Sequence, residues 1–141
     1  NPCKNGARCS NTVGSYSCRC TAGFTGKNCE NDVNECVTKK PCKNGASCIN
    51  NKGGYTCKCT SGFTGKNCEN DVNECVTKKP CKNGASCINN KGGYTCKCTS
   101  GFTGKNCEND VNECMTTKPC KNGGKCVNSD GGYRCECGDD F

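Results

Sequence analysis

The sequence contains no histidine, no tryptophan and no leucine. Each absence removes a class of chemistry or of fold. Without an imidazole there is no Ser-His or Cys-His nucleophile pair and no His-bearing zinc site, so ordinary hydrolase chemistry has nothing to work with and the chain reads as a non-enzyme. Without leucine the apolar core must come from seven valines, two isoleucines and four phenylalanines in 141 residues, about 9% of the chain, against the ~20% below which a charged sequence is expected to stay disordered. Long apolar runs are missing too. No stretch approaches the ~20 residues of a membrane span. Asn1 opens directly on turn-rich sequence with no basic and then apolar segment, so any targeting peptide is expected to have been removed.

What the sequence has in excess is cysteine, 22 residues, with 19 glycines. Cysteine at about 16% lies well above the ~8–10% that signals a disulfide scaffold, and such scaffolds persist where thiols are oxidised. The chain is therefore expected to be secreted and extracellular, and not to fold without its cross-links. The net charge of +7 comes from 20 basic and 13 acidic side chains spread along the whole length. That distribution reads as solubility first and contact with a polyanion second. Nothing in it marks a nucleic-acid binder.

Self-comparison organises the chain. Asp-Val-Asn-Glu-Cys begins at Asp32, Asp71 and Asp110, a period of 39 residues, and the stretch from Gly23 to Cys75 recurs letter for letter from Gly62 to Cys114. The cysteines divide it into 1–29, which lacks the first cysteine of the pattern, 30–68 and 69–107, which carry six each, and 108–141, which stops before a sixth. Six cysteines admit 15 pairings, so counting alone cannot choose among them. Gly53-Gly54 between extended-type residues is a hairpin turn signal, and Gly62 and Gly65 around Phe63 mark a second tight turn before Cys68. No helical periodicity is visible, and each unit is predicted to be a small two-stranded domain held by cystine.

The order Cys-x5-Cys-x5-Cys-x8-Cys-x-Cys-x8-Cys, with Gly-Phe-Thr-Gly before the last cysteine, resembles the epidermal growth factor (EGF)-like domain and its calcium-binding subclass. The resemblance covers essentially the whole chain. It implies a small disulfide-rich fold of tandem domains with short two-stranded antiparallel hairpins, arranged as an elongated rod. It also implies pairing of first with third, second with fourth and fifth with sixth cysteine. Carried onto this sequence, that gives Cys36–Cys48, Cys42–Cys57 and Cys59–Cys68, then Cys75–Cys87, Cys81–Cys96 and Cys98–Cys107. In the incomplete units it gives Cys3–Cys18, Cys20–Cys29, Cys114–Cys126 and Cys120–Cys135. Cys9 and Cys137 are left over; the chain is expected to be a piece of a longer array, or else these two thiols join molecules end to end.

The linker Glu30-Asn31-Asp32-Val33-Asn34-Glu35 recurs before Cys75 and before Cys114. Its three carboxylates and two amides are hard oxygen donors, which select calcium or magnesium over zinc or copper, and an irregular linker suits calcium's loose shell better than magnesium's strict octahedron. The resemblance assigns as ligands the side chains of Asp32, Glu35 and Asn50 with the carbonyls of Val33, Asn51 and Gly54. The matching sets are Asp71, Val72, Glu74, Asn89, Asn90 and Gly93, then Asp110, Val111, Glu113, Asn128, Ser129 and Gly132, about three Ca2+ sites in all. Residues 1–29 keep Asn11 and hold no acid, so no full site is expected there. The resemblance further implies that Phe24, Phe63 and Phe102 pack across the junctions, so that bound calcium stiffens them. Modification motifs follow in the same way. Asn50, Asn89 and Asn128 resemble β-hydroxylation positions, Ser47 and Ser86 an O-fucose position, and Thr25, Thr64 and Thr103 an O-linked GlcNAc position.

Near-identity of successive units suits a material, which gains from the same junction repeated, more than a receptor that needs one distinctive surface. Lysine-rich arrays of this kind are similar to the byssal EGF-repeat proteins of scallops. The reading is a structural, self-associating extracellular array assembled through calcium or intermolecular disulfides, with acidic polysaccharide or an anionic protein as a further partner. In that setting Tyr16, Tyr55, Tyr94 and Tyr133 are either packing residues or sites of hydroxylation for cross-linking. The competing reading is an ectodomain fragment of a signalling or adhesion protein resembling the Notch, Delta and fibropellin group.

Overall fold

The computed structural model describes residues 1–137, so the last four residues of the span 108–141 lie outside the described residues. The chain divides into two compact units, Asn1–Asp71 and Val72–Phe141. In the first, β1 (Arg8–Thr12) pairs antiparallel with β2 (Ser15–Arg19), and β3 (Phe24–Thr25) with β4 (Asn31–Asp32). After the single-turn helix α1 (Glu35–Thr38), β5 (Ser47–Asn51) pairs with β6 (Gly54–Lys58), and β7 (Phe63–Thr64) with β8 (Asn70–Asp71). The second unit runs α2 (Glu74–Thr77), β9 (Ser86–Asn90), β10 (Gly93–Lys97), β11 (Phe102–Thr103), β12 (Asn109–Asp110), α3 (Glu113–Thr116), β13 (Lys125–Ser129) and β14 (Gly132–Glu136). Its pairs are β9 with β10, β11 with β12 and β13 with β14.

The hairpins follow from their turns. Asn51 faces Gly54 across a two-residue loop, Lys52-Gly53, in which Gly53 sits at φ 80°. Only glycine takes that value cheaply, and a positive φ at the second loop residue alone is the pattern of a type II turn. Along β5 and β6 the residues alternate. Cys48 lies opposite Cys57 on the covered face, while Ser47, Ile49, Thr56 and Lys58 are exposed. The alternation puts two cysteines where a larger domain would place leucines, and each is bridged away from the hairpin.

The three helices depart from the expectation of hairpins alone. Four residues make a single turn, too short for the 3.6-residue period to register. What fixes α1 is capping: the Asn34 side chain accepts from the Val37 N–H at 3.2 Å, satisfying a donor the helix start leaves open. Asn73 and Asn112 do the same for α2 and α3. The linkers are also more ordered than their letters suggest, since Asn31-Asp32 pairs back onto Phe24-Thr25 as a second small sheet.

Among the described residues the buried apolar set is only Ala7, Cys29, Cys68 and Cys107. So little area cannot hold the fold, and cystine takes its place. Bridges close Cys3–Cys18, Cys20–Cys29, Cys36–Cys48, Cys42–Cys57, Cys59–Cys68, Cys75–Cys87, Cys81–Cys96, Cys98–Cys107, Cys114–Cys126 and Cys120–Cys135. On the chain-entropy picture a 15-residue loop contributes about 3 kcal/mol per bridge. Cys9 and Cys137 are free and exposed.

Hydrogen bonds then tie the two halves of each repeat together. Lys43 N–H donates to the Asn67 carbonyl at 2.8 Å, Asn44 Nδ2 to the Cys68 carbonyl at 2.8 Å, and the Tyr55 hydroxyl to Asn67 Oδ1 at 2.7 Å. The Tyr16 and Tyr94 hydroxyls make the same bond to Asn28 and Asn106. These three tyrosines are packing residues with their hydroxyls engaged.

Candidate metal centre

The junction between the first two repeats gathers the linker and the second hairpin around one carboxylate. Asp32, at the end of β4, accepts from Asn50 Nδ2 at 2.7 Å and from the Gly53 N–H at 2.5 Å. Pairing of β4 with β3 sets its position, and Val33 N–H locks the strand by donating to the Gly23 carbonyl at 2.8 Å. Glu35 follows at the first position of α1, and its N–H donates to Asn50 Oδ1 at 3.2 Å. Asp32, Glu35 and Asn50, read as ligands from the resemblance, therefore lie together.

Glu35 is only 2% exposed, yet its Oε2 has no hydrogen-bond partner. Burying a carboxylate oxygen unpaired costs several kcal/mol, about 1–3 or more by mutational measures, so such an atom marks a position where a partner of another kind belongs. Within the second unit Asp110 is held in the same way as Asp32, but the asparagine oxygen lacks the bond that Asn50 Oδ1 receives. Asp110 accepts from Asn128 Nδ2 at 2.7 Å and from the Gly131 N–H at 2.6 Å, while Glu113 Oε2 and Asn128 Oδ1 are buried without partners. Glu74, 3% exposed, has an unpartnered Oε2 as well. Asp71 closes the first unit and Val72, Glu74, Asn89, Asn90 and Gly93 lie in the second. A cation with a preference for hard oxygen matches this donor set, which is carboxylate, amide and carbonyl without sulfur or imidazole. Bound calcium would supply positive charge at the unpaired glutamate oxygens, with Asp32, Glu35 and Asn50 or Asp110, Glu113 and Asn128 holding it.

The third linker carboxylate does not join. Glu30 Oε2 turns back to accept from the Asn28 N–H at 2.8 Å, and Glu69 and Glu108 repeat the bond at Asn67 and Asn106. Their own backbone amides first, then those of Asn28, Asn67 and Asn106, hold these carboxyls below the usual range.

Two glycines complete the junction: Gly53, expected only as part of a turn, and Gly23, expected only as the first letter of the Gly-Phe-Thr-Gly motif. A Cβ on Gly53 would lie 2.9 Å from Phe24 Cε2, so the Phe24 ring rests directly on Gly53. A Cβ on Gly23 would meet the Gly53 carbonyl oxygen, so the two backbones touch. Gly53 is thus held from one side by the Phe24 ring and from the other by Asp32. Phe102, Gly131 and Asp110 reproduce this in the second unit. Phe63 lies on β7, paired with Asp71. The Gly-Gly pair signalled a turn; that its first member also receives an aromatic ring left no trace in the letters.

Of the modification positions, Ser47, Ser86, Thr25, Thr64 and Thr103 are all exposed. Asn50 and Asn128 are half-buried with their amides engaged, and Asn89 is exposed. Asn51 and Asn90 use their amides locally, donating to Thr56 and Thr95.

The calcium-binding EGF domain matches residues 32–70, 71–109 and 110–141, and the EGF-like domain matches residues 1–28. Fibropellin-3 of Strongylocentrotus purpuratus is 58% identical over 33 residues, 23% of this chain and 6% of that protein. Neurogenic locus protein delta of Drosophila melanogaster is 50% identical over 36 residues, 25% of this chain and 4% of its own length. A cubilin homolog from the same fly is 50% identical over 36 residues, 26% of this chain and 1% of that protein. Each match thus spans a small fraction of the curated relative's length.

Proposed function

We propose a function from one premise: the chain belongs to the calcium-binding EGF domain family. It is a secreted, non-enzymatic structural array whose junctions take calcium and become stiff when they do, as a load-bearing fibre of the byssal kind requires. The observation that carries this reading is the double hold on Gly53, with Phe24 arriving from one repeat and Asp32 from the linker. A cation at Asp32, Glu35 and Asn50 would fix the linker against the hairpin of the second repeat, and with it the seat of the ring. The same letters recur from Asp71 and from Asp110, so the proposal extends to about three sites, of the ~10⁻⁴ to 10⁻³ M affinity usual for extracellular modules. Self-association through these ions, or through Cys9 and Cys137, completes the picture.

The test is 15N relaxation of the full chain in millimolar calcium and in chelator. Added calcium is expected to quench fast motion at Phe24, Asp32 and Gly53. Identical relaxation in the two conditions would refute the reading. A second reading, a fragment of an adhesion or signalling ectodomain, is favoured by the local identity to fibropellin-3 and to the delta protein. Light scattering with and without chelator and reductant separates the two, because that reading expects a monomer throughout.

A further inference from the structure

The hairpin of the fourth repeat, β13 with β14, departs from the others in charge. Residues 47–58 carry Lys52 and Lys58 and no acid, and residues 86–97 repeat those letters. Residues 125–136 carry Lys125, Asp130, Arg134 and Glu136, so there two acids offset two bases. The change falls partly in the turn itself, where Asp130 stands at the place of Lys52, both side chains being exposed.

That turn adjoins the oxygens proposed to hold calcium. The Gly131 N–H donates to Asp110 Oδ1 at 2.6 Å, as the Gly53 N–H does to Asp32 Oδ1 at 2.5 Å. Two covalent bonds separate the Gly131 nitrogen from the Asp130 Cα, so the turn side chain starts within about 5 Å of the Asp110 carboxylate. Ser129 and Gly132, whose carbonyls the family resemblance makes ligands, flank the turn and face each other in the register. Two further differences act in the same direction. Asn50 Oδ1 already accepts from the Glu35 N–H at 3.2 Å, whereas Asn128 Oδ1 is buried without a partner, as is Glu113 Oε2. An ion arriving there meets an amide oxygen that has already lost its water and has no bond to give up. Asp110 is half-buried where Asp32 is exposed, so water screens its charge less.

We propose that Asp130 raises the calcium affinity of the site at Asp110, Glu113 and Asn128 above that of the site at Asp32, Glu35 and Asn50, so that the two fill in order as calcium rises. The ranking rests on the calcium reading given above. Asp130 acts through its charge, without contact with the ion. Exchanging a positive for a negative charge within about one Debye length of a divalent ion, ~8 Å in 0.15 M salt, changes the dissociation constant by about three- to tenfold. Because the side chain is exposed, the effect shrinks as salt is added. Around the ~10⁻⁴ to 10⁻³ M usual for extracellular modules, one junction is then stiff while the other is still loose, and the response of the chain to calcium is graded.

The test is a calcium titration of the full chain followed by NMR, at low and at about 0.15 M salt. The Gly131 signal reports the site at Asp110 and Ala22 the first junction. In the parent, Gly131 is expected to reach its midpoint at about three- to tenfold lower calcium than Ala22, with the gap narrowing in salt. Asp130→Lys should raise the Gly131 midpoint by about three- to tenfold and leave Ala22 unmoved, and Lys52→Asp should lower the Ala22 midpoint by a similar factor. Glu136→Lys makes the same change of charge at the far end of β14 from Gly132, about 13 Å along the strand, and should move the Gly131 midpoint less than about twofold. Spectra of each variant in chelator, matched to the parent outside the substituted residue's neighbourhood, keep a changed fold from passing as a changed affinity. Equal midpoints in the parent, a Gly131 midpoint that Asp130→Lys leaves in place, or an equal shift with Glu136→Lys would overturn the ranking and leave the calcium reading standing. Silence of both signals as calcium is added would overturn both.

Discussion

Replacing Gly53 by alanine tests the junction where ring and carboxylate meet. The substitution has two costs of different origin. At φ 80° a Cβ strains the backbone by about 1–2 kcal/mol, wherever the neighbouring repeat happens to be. The same Cβ would stand 2.9 Å and 3.1 Å from Phe24 Cε2 and Cζ, so the ring must leave its seat. The strain lies inside the hairpin and is paid with or without calcium; it cancels from the binding equilibrium. Displacement of the ring does not cancel, because in this reasoning the ring is seated when the ion is bound. Loss of an aromatic contact of this kind is worth about 1–2 kcal/mol, which raises the calcium dissociation constant at the first junction by about five- to thirtyfold. The assay is a calcium titration followed by NMR, and the signal of Ala22, which is Ser61 and Ser100 in the following repeats, reports the first junction separately. Phe24→Ala should weaken binding by a similar factor, and the double variant should be no worse than Phe24→Ala alone. If the two losses add in full, the ring and Gly53 act independently and the coupling is wrong.

Three further outcomes are expected. Glu35→Gln replaces a buried carboxyl whose Oε2 has no partner, so hydrogen exchange over residues 35–40 should slow in chelator and quicken relative to the parent in calcium; a change of the same sign in both media would contradict an ion at that oxygen. Asn34→Ala deletes the cap on the Val37 N–H and should cost about 1 kcal/mol of local stability, read as faster exchange at Val37 with Val76 unchanged. Tyr55→Phe loses the bond to Asn67 and should cost about 1 kcal/mol in chemical denaturation of that repeat, leaving calcium affinity as it was.

How far the sequence revealed these features depends on the length over which each is encoded. The 39-residue period, the cystine dependence and the hairpin at Gly53-Gly54 were legible because they rest on counting and on turn chemistry. The one-turn helices escaped because periodicity needs several turns, although Asn34 before Glu35 is a readable cap signal. The pairing of cysteines came from the family resemblance, since six of them admit every connectivity until the fold is known. Of the three linker carboxylates, the letters could not tell the one that turns away. Glu30 sits two residues from Asn28, whose N–H it takes, and Asp32 reaches 18 and 21 residues onward to Asn50 and Gly53. Both contacts depend on where β4 lies.

The division of labour between sulfur and oxygen follows from the scarcity of apolar residues. Within the second and third repeats, bridges at sequence separations of 9, 12 and 15 hold the chain in place, and reversible changes of solvent do not loosen them. Between the first two repeats the joint is made of the Phe24 ring on a glycine, the Val33 and Gly53 hydrogen bonds and the Asp32 carboxylate. A joint so poor in buried apolar area has little to lose or gain, so that an ion of about 10⁻⁴ to 10⁻³ M affinity, which at about 1 mM would add about 0.4–1.4 kcal/mol, is enough to matter there. Had these repeats carried ordinary hydrophobic interfaces, an ion of that affinity would add little to a joint already fixed. With Glu35 left one oxygen short of a partner, the joint is instead where the ion's contribution is largest.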